Sequence, residues 1–218
     1  MSTALIAILG GLALATGPLW RWLGGYLVTI AHEAGHAVVT VLCSGRVVGI
    51  RLHTRGGAVR SGYAGITYAR TSVRARIPVG LAGYPAPAAV GLLTLALLHA
   101  NHTRGALAAM VAALFVMLVL IRNAFGAVLL LAVGGALYAA ILYGTPTAHA
   151  NVAGVISWAL LFGTTRDTLS TFRNGSGDAA NLAALTNVPT KVWSSLFVLA
   201  TVGATGFAAW LTLDAWAG

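Results

Sequence analysis

The stretch "GYLVTIAHEAGHAVVTVLCS", Gly25 to Ser44, decides how the rest of the chain is read. It is apolar enough to lie in a bilayer, yet its centre holds His32, Glu33 and His36. Ionisable side chains in hydrocarbon are costly, and where they occur they are tied to function. Glu33 is also the only glutamate in the 218 residues.

The surrounding composition places that stretch in a membrane. Hydrophobic residues make up 58% of the chain and charged residues 8%, with a mean hydropathy of +0.86. A soluble domain carries roughly 25% charged residues, so this chain cannot cover itself with a water-facing surface. Long apolar runs favour helices, and the short alternating strands of a membrane barrel are missing over most of the chain. The expected fold is therefore an all-α polytopic membrane protein of six to seven transmembrane helices, one domain over residues 1–218. The net charge of +9 does not mark a nucleic-acid binder, because the twelve arginines and one lysine are scattered between apolar runs. Cys43 is the single cysteine, which excludes an internal disulfide and suits a small buried side chain.

Spans of about 20 apolar residues are expected at Thr3–Trp20, Trp22–Cys43, Val79–His99, Ala106–Ile121 and Lys191–Leu213. Two more fit between Arg122 and Arg166, hinged at "GTPTAHAN", Gly144 to Asn151. The N-terminal run lacks the basic region of a signal peptide and is read as a retained span. With the N-terminus in the cytoplasm, Arg46, Arg51, Arg55, Arg60, Arg70, Arg74, Arg76, Arg122, Arg166, Arg173 and Lys191 fall inside. Arg21 and Arg104 fall outside, a clear positive-inside bias. The polar segment 44–78 differs from the rest. Val47, Val48, Ile50 and Leu52 are strand formers, "TRGG" (54–57) offers a turn, and "AVRSGYAGITYA" follows. A small cytoplasmic β-hairpin or sheet is expected there.

"HEAGH", residues 32–36, is an HExxH motif. On a helix, residues four apart share a face, so both imidazoles can bind one metal ion. Glu33 beside them is placed to take a proton from a water that bound zinc acidifies. For a given glutamate, six histidines in 218 residues would flank it at both offsets by chance about once in a thousand.

Catalytic zinc typically takes a third protein ligand. Asp214 closes a span that ends on the opposite face. His99, His102 and His149 map to that face too, while His53 lies in the β-element. Asp178 opens "DAANLAALTNVP", a short helix able to dip into the membrane with its carboxylate in the first turn. Asp167 is the alternative.

These features together resemble the site-2 protease family, intramembrane zinc metalloproteases, and within it a compact bacterial branch without a PDZ domain. The likeness rests on "AHEAGHAVV", "GLAGYPAPAAVG", "IRNAFG" and "GDAANLAALTNVPTKVW". It implies that His32, His36 and Asp178 bind Zn2+ and that Glu33 is the catalytic base. It also implies a transmembrane protein as substrate. Asn123 and Tyr84 are the candidate substrate-binding residues. The prolines and glycines of "GYPAPAAVG" loosen a helix that lines a cavity or meets an unwound substrate.

Two other classes compete with this reading. A non-catalytic scaffold would keep a protease-like fold without turnover. A transporter would need a polar path to the outer face, and between Trp22 and Ala31 only Tyr26 and Thr29 offer one. The oligomeric state is not written in the residues.

Overall fold

A computed structural model describes residues 3–54 and 64–217. Helix α1 (Thr3–Ala15) leads through the short α2 (Gly17–Leu19) and a π-helical turn, Trp20–Gly24, into α3 (Gly25–Leu42). Strands β1 (Arg46–Leu52) and β2 (Gly65–Arg70) follow. The remainder is helical: α4 (Arg76–Ala82), α5 (Pro85–His99), α6 (Thr103–Leu120), α7 (Ala124–Tyr143), α8 (Pro146–Asn174), α9 (Asp178–Thr186) and α10 (Thr190–Ala217).

Helix α8 is the axis of the bundle, with α1, α5, α6, α10 and α3 packed around it. Its limits are written locally. Thr145 caps the start, its side chain accepting from Ala148 N with Pro146 in the first turn, and Gly175 ends it at φ 62°. Small residues let α1 lie close against it. A Cβ on Gly154 would fall 2.7 Å from Ala7 Cβ, and one on Gly10 2.7 Å from Val155 Cγ2. On the other side, α10 meets α8 through hydroxyls, with Thr168 Oγ1 2.9 Å from Thr201 Oγ1 and Thr165 Oγ1 3.0 Å from Thr205 Oγ1.

Among the described residues, three helices are long and apolar enough to cross a membrane: α6, α7 and α10 over Thr190–Leu213. The pair α4 and α5, bent by 52° at its break, passes the same test only when the two are taken together, as one broken span or a re-entrant loop. The expected count was six to seven. The other helices carry polar groups that the bundle shelters. His32, Glu33 and His36 interrupt α3, and Ser157, Thr164, Thr168 and Thr171 are buried along α8. Exposed Phe115, Val119, Leu131, Leu199 and Trp210 instead line the outer faces of α6, α7 and α10, as lipid contact requires. Helix α1 has only 13 residues.

The packing of α1 on α8 sets which groups share an end of the bundle. Helix α1 runs parallel to α8, because Ala7 meets Gly154, Gly10 meets Val155, and Ala15 O faces Arg166. Its Thr3 end shares a cavity with His99, Thr103, Gly144 and His149, at the start of α8. The HEAGH motif lies with the far end of α8. The N-terminus and the motif thus occupy opposite ends of the bundle, where the sequence reading places both on one side. Arg21 is expected on the side of Arg104, yet neighbouring Trp20 packs under Arg166 at 4.5 Å, so the turn after α1 lies in the motif's half of the bundle.

The β-element exists as expected. β1 and β2 pair antiparallel, Arg46 opposite Arg70 and Leu52 opposite Gly65, with an irregularity between Val47 and Gly49. The expected turn at 54–57 runs into residues 55–63, outside the described residues. The outer edge of β1 is closed by the junction of α6 and α7. Arg122 N donates to Ile50 O at 2.9 Å, and Asn123 bonds both Leu52 backbone groups. Among the described residues the sheet has two strands, and none of them pairs with the second edge of β2. Ile50 and Leu52, fully buried, fasten the sheet to Ile30 and Ala37 of α3.

Candidate metal centre

Helix α3 holds His32 and His36 one turn apart, with Nε2 atoms 3.1 Å from each other. Its approach to α4 and α5 depends on Gly35, where a Cβ would lie 2.5 Å from Ala86 Cβ. Asp178, the first residue of α9, completes the cluster. Its Oδ2 lies 3.1 Å from His32 Nε2 and 3.3 Å from His36 Nε2. Helix α9 is held there by Ala179 and Leu182, buried against Phe197 and flanked by Ile77 and Trp193.

The three atoms form a nearly equilateral triangle suited to a metal ion. Ligands bonded at about 2.0 Å in a tetrahedral site stand about 3.3 Å apart, close to the observed sides. Three further observations support the fit. His36 Nδ1 lies 2.7 Å from Val79 O. A carbonyl only accepts, so Nδ1 carries the proton and Nε2, which faces the cluster, is the nitrogen a neutral His36 would offer to a metal. Asp178 Oδ2 is buried beside the two imidazole Nε2 atoms without hydrogen-bond geometry to either. Finally, a Cβ on Gly83 would lie 2.5 Å from Asp178 Oδ2 and 2.7 Å from His32 Nε2, so only glycine leaves the centre of the cluster open.

Glu33 is buried at 4% exposure, its Oε2 accepting from Thr67 Oγ1 of β2 at 2.6 Å. It faces the same cavity as the cluster, a space of about 530 Å³ walled by β2, α4 and α9. Tyr84 lines this cavity, its ring edge-on to His32 with centroids 4.8 Å apart and its hydroxyl 2.8 Å from Thr171 Oγ1.

The structure thus gathers His32, Glu33, His36, Asp178 and Tyr84 into one site. Asp167, the alternative third ligand, sits on α8 outside the metal cluster. Asn123 does not reach the cavity. Its Oδ1 accepts from Leu52 N at 3.1 Å and its Nδ2 donates to Leu52 O at 2.7 Å, spending the amide on β1. Sequence reasoning missed Thr67, Gly65 and Val79, and it read Gly83 only as part of the loosened "GYPAPAAVG" helix. The alternation Gly65-Thr67-Ala69 was the available signal, since it marks one narrow strand face.

Fold and site together define a membrane protein built around two histidines and an aspartate able to hold a metal ion. A family model described as Peptidase M50B-like matches residues 3–208, and the chain belongs to that family of metallopeptidases. No curated protein and no solved structure matches the chain.

Proposed function

We propose that the protein is an intramembrane zinc endopeptidase that hydrolyses peptide bonds of transmembrane proteins near the cytoplasmic face. The observation that carries this reading is the convergence of His32 Nε2, His36 Nε2 and Asp178 Oδ2 in the cavity that Glu33 also lines. Two imidazoles and one carboxylate are a donor set for catalytic zinc, which when bound supplies Lewis acidity and acidifies water.

The chain's own residues do the rest. Val79 O fixes the tautomer of His36. Glu33 accepts the proton of the attacking water and returns it to the amide nitrogen as the C–N bond breaks. A helical substrate shields its amides, so the scissile segment must unwind. The second edge of β2 offers backbone groups for an extended peptide, since the strand borders the cavity through Gly65, Ile66, Thr67 and Ala69.

The arginines support a cytoplasmic site. Arg46, Arg51 and Arg70 are on the strands, Arg76 opens α4, Arg122 precedes α7 and Arg173 ends α8, all at the site end. Arg104 borders the opposite cavity with His99. With the site inside, α1 enters from the other face.

The test is zinc content and cleavage of a transmembrane substrate reconstituted with wild type or Glu33→Gln. The variant retains zinc and loses cleavage. Equal cleavage by both contradicts the proposal, and zinc-loaded wild type without turnover on any substrate favours a scaffold.

A further inference from the structure

A carboxylate as buried as Glu33 needs hydrogen-bond donors of its own. The sheet provides one. Thr67 Oγ1 stands 2.6 Å from Glu33 Oε2 and 3.3 Å from the Glu33 carbonyl oxygen. A hydroxyl has a single proton to give, and the short contact to the carboxylate takes it.

The contact is built into the strand. Gly65, Thr67 and Ala69 share one face of β2 by alternation, and this face meets α3 and the cavity. A Cβ on Gly65 would lie 2.7 Å from Glu33 Cγ, 2.8 Å from Glu33 Oε1 and 2.8 Å from Thr29 Cγ2. The strand approaches α3 this closely only because position 65 has no side chain. Thr67 is paired with Ile50, which is fully buried and anchored through its carbonyl to Arg122 N. A β-branched side chain on so fixed a backbone has little freedom at χ1.

We propose that Thr67 is the positioning residue for Glu33. It holds Oε2 and leaves Oε1, beside the Gly65 notch, as the oxygen that exchanges the proton. The strand that borders the substrate cavity thereby also aims the base. The proposal rests on the reading of Glu33 as that base.

Glu33 is the only glutamate in the chain, so protein grown with side-chain 13C-labelled glutamate carries one labelled carboxylate. Isotope-edited infrared spectra of the full chain in lipid then report its hydrogen bonding without any substrate. In Thr67→Val the carboxylate stretch shifts, while in Thr67→Ser it keeps the wild-type position. In the cleavage assay, Thr67→Val lowers kcat by about 10–100-fold with KM and bound zinc unchanged, and Thr67→Ser restores it. If Thr67→Val fails to fold, Gly65→Ala forces β2 back from Glu33 with the hydroxyl intact and gives the same band shift. An unmoved band in the folded variants, or a serine variant as impaired as the valine one, overturns the proposal. Glu33→Gln cleaving like wild type refutes the base reading instead, and the infrared band still decides the Thr67 contact.

Discussion

His36 Nδ1 donates to the carbonyl of Val79 across 2.7 Å, tying a metal-ligand imidazole to the last turns of α4. The carbonyls that close a helix have no intrahelical partner and are free to accept such bonds. Helix α4 ends at Ala82, because Pro85 and Pro87 lack the N–H groups that would continue its ladder. The break in "GYPAP" therefore serves the site directly. It brings Gly83 against Asp178 and His32, while the Val79 carbonyl in the last turn of α4 faces His36. Gly83→Ala puts a methyl group into the space between the ligands. Bound zinc falls at least about tenfold, as for disrupted metal surroundings, while circular dichroism shows unchanged helix content. Full zinc occupancy in this variant contradicts the placement of the site.

Asn123 is a strand fastener. Its amide pairs with both Leu52 backbone groups as another strand would. Asn123→Ala leaves those groups unpaired at a partly buried edge and costs about 1–3 kcal/mol. Thermal unfolding in detergent shows the loss, and residual cleavage by the folded fraction stays near wild type. A variant of normal stability with cleavage abolished would return Asn123 to the substrate-binding role expected from sequence.

The two ends of the bundle are distinguished by labelling. With Cys43→Ser as background, cysteines at Thr3 and His102 react with a membrane-impermeant thiol reagent from one side, and a cysteine at Arg173 from the other. The parallel run of α1 and α8 requires this pairing. Labelling of Thr3→Cys and Arg173→Cys from the same side contradicts it.

The sequence was informative wherever local chemistry decides structure. HEAGH places two imidazoles on one helix face by periodicity alone, and "VVGIRL" declares a strand by its β-branched residues. Asp178 was legible as the first residue of a short helix. Other features depend on distant packing. The direction of α1 follows from Gly10, Gly11 and Gly154 admitting α8, and hydropathy carries no sign of which end of a helix meets which neighbour. The span count blurred because α3 and α8 shelter polar residues inside the bundle, where lipid does not test them. Thr67 escaped notice because a single hydroxyl becomes meaningful only when strand register sets it opposite Glu33.

The central claim is that His32, His36 and Asp178 hold one metal ion. Its most direct test is zinc per chain in purified wild type, Asp178→Asn, Asp167→Asn and Glu33→Gln. The account predicts one equivalent in wild type, Asp167→Asn and Glu33→Gln, and a loss of at least about tenfold in affinity for Asp178→Asn. Zinc retained in Asp178→Asn, or lost in Asp167→Asn, would contradict it.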